Sequence, residues 1–120
     1  MIKYCRQLTV WQKAMDLMVE SHRLAATLPQ IERFDLGSQI RRASVSVPAN
    51  ISEGNARSHR KEYLQFLSIA RGSLSELDTL LEGARRVNYF TEPDLLRAQE
   101  LMDHVGRMLN RLIASLREPE

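Results

Sequence analysis

Apolar residues recur three and four positions apart along most of this chain, and nowhere do they alternate with polar residues as a half-buried strand requires. The spacing predicts helices at about residues 9–28, 35–53, 59–88 and 92–117. The connections left between them, at about 29–34, 55–58 and 89–91, are short enough to make consecutive helices antiparallel. The expected fold is all-α, an antiparallel up-down-up-down four-helix bundle, built as a single domain over residues 1–120. Thr9, Ser58 and Thr91 are the expected N-caps, Pro93 suits the first turn of the last helix, and Gly54 and Asn55 are good stops for the second.

The width of the apolar faces carries more than the fold. On the first helix the apolar positions, from Val10 and Trp11 through Met15, Met18 and Val19 to Ala26, sweep an arc of about 220°, where one core needs little over about 100°. The third helix has a heptad-like seam through Tyr63, Leu67, Ala70, Leu74, Leu77, Leu81 and Ala84, with a second stripe beside it through Ile69, Ser73, Glu76, Leu80 and Val87. Two helices with more apolar surface than a monomer can bury predict self-association.

The second helix is unusual in a different way. Its core stripe is Leu36, Ile40, Ala43, Val47 and Ile51, and Pro48 sits inside it, removing the hydrogen bond to the Ser44 carbonyl. Gln39, Ser46, Asn50 and Glu53 run along the flank of that stripe. Register places Asn50 and Glu53 near the start of the third helix and near Trp11. Ser73 and Glu76, with Thr79, form a second polar set on the third helix. Such groups need partners when buried, so an interhelical hydrogen-bond network is the first reading and a polar ligand pocket the second.

Seventeen Lys and Arg against fifteen Asp and Glu give a net charge of +2, which permits contact with nucleic acid without demanding it. Arg57, His59, Arg60 and Lys61 cluster where the third helix begins, against its dipole but beside N–H groups that favour a phosphate. The competing reading is a solvated turn in which Arg57 or Arg60 pairs with Glu53 or Glu62. Arg41, Arg42 and Arg71 form a second candidate basic face, Arg41 lying roughly level with Arg71. Aromatic residues are sparse there, so phosphate contact rather than base stacking is the expected mechanism.

Other chemistry is thinly represented. His22, His59 and His104 lie on different elements, no His or Cys pair has metal-ligand spacing, and no glycine-rich phosphate loop occurs, so neither a metal nor a cofactor is expected. No nucleophile, base and oxyanion donor converge, and no enzyme activity is expected. Cys5 is the lone cysteine, which suits a reducing compartment. The first residues lack a signal-peptide pattern and no apolar run is long enough to span a membrane, so a cytoplasmic location is expected.

Four segments together resemble a known family. They are Leu8-x-Val10-Trp11-Gln12-Lys13-Ala14-Met15-Asp16-Leu17; Leu28-Pro29 with Glu32-x-Phe34-x-Leu36-x-Ser38-Gln39-Ile40-Arg41-Arg42-Ala43; Ser44-Val45-Ser46-Val47-Pro48-Ala49-Asn50-Ile51-Ser52-Glu53-Gly54; and Glu62 to Leu77. The third is the most specific, and the last helix matches only in its apolar pattern. The chain resembles the bacterial four-helix bundle proteins encoded in intervening sequences of large-subunit ribosomal RNA genes, often labelled S23 ribosomal protein. More distantly it is similar to the accessory proteins of diversity-generating retroelements, five-membered rings whose positive surface engages nucleic acid and a reverse transcriptase. The resemblance implies a bundle that assembles with itself, a pentamer ahead of a dimer, and no established enzyme activity. It leaves two alternatives: a homo-oligomeric bundle that binds RNA or DNA through its basic surface, or a protein-interaction scaffold without nucleic acid.

Overall fold

The computed structural model describes residues 4–118, which form four long helices and no strand among the described residues. The helices are α1 (Thr9–Ala26), α2 (Leu36–Asn55), α3 (Arg60–Arg86) and α4 (Glu92–Arg117), with single 3-10 turns at Cys5–Gln7 and Gln30–Glu32. Each helix packs on the one before it, and α1 also packs on α4, which closes the four into a bundle of 50 × 23 × 20 Å. Contacts at the helix ends fix the directions. Asn55, ending α2, reaches Tyr63 in the first turn of α3, whereas Glu32, just before α2, bonds Tyr89 just after α3. Arg60, opening α3, reaches the carbonyls of Leu116 and Glu118 at the end of α4. Neighbouring helices are therefore antiparallel.

One apolar core runs the length of the bundle. Leu17, Ile40, Val47, Ile51, Leu67, Leu77, Val105 and Leu109 are fully buried in it, at the three- and four-residue spacings of the sequence. Burying a side chain of this size stabilises the fold by about 1.5–3 kcal/mol. In so narrow a bundle the helix ends and the outward stripes are the surfaces open to partners.

Helix ends differ from expectation where main-chain bonds decide them. Leu8, not Thr9, occupies the N-cap of α1; its carbonyl accepts from the Gln12 amide at 3.1 Å, and Thr9 is already helical. His59, not Ser58, precedes α3, because the amides of Ala56 and Arg57 coil back onto Ser52 and Gly54 and carry the chain two residues further before it can turn. Gly54 does not stop α2. It lies inside the helix because a Cβ there would come within 2.8 Å of the Phe66 Cβ and 2.9 Å of the Tyr63 ring, so only glycine admits this approach of α3. The end of α3 falls at Arg86 rather than Asn88. Asn88 takes φ 69°, and its amide and that of Tyr89 bond the carbonyls of Arg85 and Ala84, a Schellman closure with asparagine in the left-handed position. Thr91 caps α4 as the sequence predicts, in a reciprocal capping box with Asp94, and Pro93 lies in the first turn.

Candidate interaction surfaces

The polar line on α2 separates into three parts. Ser46 and Ser73 share a hydrogen bond of 2.7 Å across the α2–α3 contact, and the Asn50 amide donates to both the carbonyl and the hydroxyl of Ser46. This is a small interhelical network, with Ser73 buried. Gln39 lies outside it, donating to Asp35 at 3.1 Å, and Glu53 pairs with Arg57 at 3.1 Å on the exposed side of the helix end. Glu76 is exposed and lines an open depression between α2 and α3 with Gln39, Arg42 and Ser46. Asn50 faces α3 and not Trp11, which sits on the opposite flank of α2 beside Pro48 and Ala49. The sequence pattern puts these residues on one side of a helix, but two of them are far enough outward to be solvated.

The basic residues also divide. Arg57, Arg60 and Lys61 share the α2–α3 turn, as expected. Arg57 lies over the Phe66 ring, 4.9 Å from its centroid, as well as beside Glu53. Lys61 is exposed and makes no hydrogen bond or ion pair with the described residues. The N-cap His59 side chain accepts no bond from the first amides of α3, so those N–H groups are left to solvent or an anion. Arg41, Arg42 and Arg71 do not form one face. Arg41 turns to the α1 side and donates to the Arg33 carbonyl at 2.9 Å, Arg42 lines the α2–α3 depression, and Arg71 bonds Asn110 at 3.2 Å on the α4 side. Being level along the bundle axis is not the same as facing one way, since adjacent residues on a helix diverge by about 100°.

The apolar excess of α1 lands on one surface. Trp11, Met15 and Met18 of α1 face Val45, Pro48 and Ala49 of α2 across an open groove of about 250 Å3, with Ser52 at its edge. Val19 adjoins it at 63% exposure. On α3 the second stripe divides: Ile69 and Val87 are exposed, Leu80 is half-buried against the core, and Ser73 is buried in the network already described.

Several contacts had little sequence signal. Ile31 and Phe34, each 86% exposed, stand on the α1–α2 connection. Two bulky apolar residues in a connection were the available clue. Tyr89 ties that connection to the end of α3 through a 2.7 Å bond from its hydroxyl to Glu32, which holds the phenol above its usual range. Glu20 is a buried carboxylate taken by both ends of the Arg23 guanidinium; that bond lowers its pKa against the opposing effect of burial. Burial raises the Tyr63 phenol, with the Asn55 bond working the other way. Among the described residues no group of His, Cys, Asp and Glu could hold a metal ion, and no helix is long and apolar enough to cross a membrane.

Comparison with known proteins places the chain. No curated protein sequence matches it significantly. A crystal structure of a protein of unknown function from the S23 ribosomal protein family of Bacteroides thetaiotaomicron VPI-5482 superposes with a TM-score of 0.81, at 24% identity, covering 88% of this chain and 98% of that one. At that identity the likeness shows the shared bundle fold. The sequence model of the 23S rRNA-intervening sequence proteins matches residues 6–111, which takes in all of α1 to α3 and most of α4, and the chain belongs to that family.

Proposed function

We propose that this protein is a non-enzymatic helical bundle whose first task is to assemble with copies of itself. The observation that carries the reading is the groove of Trp11, Met15, Met18, Val45, Pro48 and Ala49. Val45 is exposed there and Trp11, Met15 and Met18 are only half-buried, so the groove keeps apolar surface that a second chain would cover. Identical chains close such a contact with cyclic symmetry. The sequence resemblance favours five copies over two. Assembly is tested by Met15→Glu with Ala49→Glu in one chain, which places two carboxylates in the groove. The variant is expected to sediment as a folded monomer; unchanged assembly would remove the groove from the interface.

A second activity, phosphate contact with RNA or DNA, is favoured by one region of the molecule. Arg57, His59, Arg60 and Lys61 surround the start of a 27-residue helix whose first amides lack a side-chain cap. In a ring this basic end repeats once per subunit, and repeated weak phosphate contacts add through effective concentration. Changing Arg57, Arg60 and Lys61 to Ala is expected to weaken binding of a single-stranded RNA. The slope of log K against log salt should also fall, by about 0.7–0.9 for each phosphate the variant no longer neutralises. An assembled native protein that binds no RNA at low salt would leave the scaffold reading alone. Because they point to three different sides, Arg41, Arg42 and Arg71 are not part of the proposed nucleic-acid surface.

A further inference from the structure

Arg41 lies away from the basic end of the bundle, and it lines a pocket of about 370 Å3 between α1, the α1–α2 connection and α2. His22 and Ala26 come from α1, Leu28, Gln30 and Arg33 from the connection, and Arg41 from α2. The lining holds two guanidiniums and an imidazole but no carboxylate. Neither Arg33 nor Arg41 is in an ion pair with the described residues. The carboxylates of the same connection are engaged elsewhere: Glu32 accepts from the Tyr89 hydroxyl at 2.7 Å and Asp35 from the Gln39 amide at 3.1 Å. Like charges lining one concavity repel unless an anion joins them. These side chains are also held in place. Arg41 Nη2 donates to the Arg33 carbonyl at 2.9 Å, and Gly37 gives the guanidinium room, since a Cβ there would come within 3.3 Å of Nη1. Arg33 lies 5.9 Å from the Phe34 ring centroid, a contact that leaves its N–H groups unspent. His22 donates its Nδ1–H to the Met18 carbonyl at 2.9 Å, which leaves Nε2 as the open ring nitrogen.

We propose that this pocket binds a small phosphate monoester that carries an apolar group. A carboxylate presents one two-oxygen edge to a guanidinium fork. A phosphate monoester, with three terminal oxygens and nearly two charges, presents more than one and can engage Arg33 and Arg41 together. The volume falls in the range of small-molecule sites, about 300–1,000 Å3. A water molecule takes about 30 Å3 in the liquid, so a single phosphate leaves most of the pocket to the rest of the ligand. That space is bounded by the exposed Ala26 and the half-buried Leu28, which suit an apolar group. The backbone of RNA is the competing occupant. Each of its phosphates is a diester with two free oxygens and one charge, which would leave one of the two arginines unmatched.

Calorimetric titration of the full chain with phenyl phosphate tests the site. One molecule should bind per chain, at least about tenfold more tightly than inorganic phosphate, because the phenyl ring buries apolar surface. Arg33→Ala with Arg41→Ala should abolish the binding of both. Arg42→Ala should bind as the native protein does, since Arg42 is next in sequence but lines the α2–α3 depression. Ala26→Phe fills the apolar side and keeps every charge, so it should lose the preference for phenyl phosphate while inorganic phosphate still binds. Circular dichroism checks that each variant keeps its helix. Native protein that takes up no phenyl phosphate at millimolar concentration would overturn the proposal, as would an equal loss in Arg42→Ala. Without phenyl phosphate binding, a fall in RNA binding on changing Arg33 and Arg41 to Ala would give the pocket to a nucleic-acid backbone instead. A fall in assembled mass in that variant, again without phenyl phosphate binding, would make the occupant a carboxylate of another copy.

Discussion

At the end of the bundle that carries two connections, Arg23, Arg85 and Arg86 are gripped by carboxylates, beside Arg33 on the Phe34 ring and Arg41 on a main-chain carbonyl; at the end that carries the α2–α3 turn, Arg6 and Arg57 lie over ring faces, Arg57 also beside Glu53. The first end holds Arg23 against Glu20 and both Arg85 and Arg86 against Glu82. The hydrogen bonds from these last two bring the Glu82 carboxyl down to about 2. There Asp94 is held below its usual range by its bonds to Thr91, the main-chain amide first. At the other end Arg6 lies over Trp11, Arg57 over Phe66 in addition to Glu53, and Arg60 reaches the carbonyls of Leu116 and Glu118. A guanidinium gripped by a carboxylate has its field largely cancelled, whereas one resting on a ring keeps its charge for an anion. The first end is braced by ion pairs within single helices and by the Tyr89–Glu32 bond between its two connections, whereas at the other end the exposed Lys61 and the ring-stacked Arg6 keep their charge for an anion.

The largest effect should come from the close approach at the turn end. Gly54→Leu forces the side chain into Tyr63 and Phe66 and is expected to cost about 3 kcal/mol, seen as a melting temperature lower by many degrees. Gly83→Ala supplies the contrast: its Cβ meets nothing within 4 Å, so the helix should gain roughly 0.5–1 kcal/mol. Equal losses in the two variants would mean that glycine at position 54 serves no close contact.

The next effect separates the parts of the polar line. Asn50→Leu removes the donor to Ser46 beside the buried Ser73 and should cost about 1–3 kcal/mol in denaturant melts. Glu53→Leu touches only an exposed ion pair and should stay within about 0.5 kcal/mol. If both variants lose the same stability, the division of the line is wrong.

Tyr89→Phe deletes the bond to Glu32 and should cost about 0.5–1.5 kcal/mol. Amide exchange should quicken at residues 30–35 more than in the middle of α2, since the bond anchors that connection. Exchange that rises evenly along the chain would deny the tether.

The smallest effect tests the ion pairs of the structural end by pH. Glu82 titrates near 2 in the folded chain against an ordinary 4.5. A depressed pKa stabilises the fold fully above the unfolded value, and that contribution fades as pH falls from about 4.5 toward 2. The stability difference between native protein and Glu82→Gln should therefore be constant above about pH 4.5 and vanish near pH 2. Urea midpoints across that range measure it, and a difference that widened with acid would have the wrong sign.

The fold was legible because its cause is periodic: Leu67, Ala70, Leu74, Leu77, Leu81 and Ala84 are buried at the spacing the sequence shows. The cap at Thr91 was legible because the Thr-x-x-Asp pattern is local. The starts of α1 and α3 were not, because main-chain bonds at Leu8, Ala56 and Arg57 outweigh a nearby serine or threonine. The surfaces were read in part. The apolar excess of α1 could be counted on a helical wheel, and the Arg57–Lys61 cluster is contiguous in sequence. The directions of Arg41, Arg42 and Arg71 depend on how each helix is rotated about its axis, which periodicity fixes only to within tens of degrees. The Tyr89–Glu32 tie joins residues 57 apart and leaves no local trace.

Sedimentation equilibrium of the native chain at micromolar concentration tests the central claim, that the apolar α1–α2 groove is an interface between copies. The native chain should give a single species whose mass is a multiple of 13.8 kDa, with five copies first in expectation, and Met15→Glu with Ala49→Glu should reduce it to one copy. A native protein that sediments at 13.8 kDa across the concentration range would contradict it.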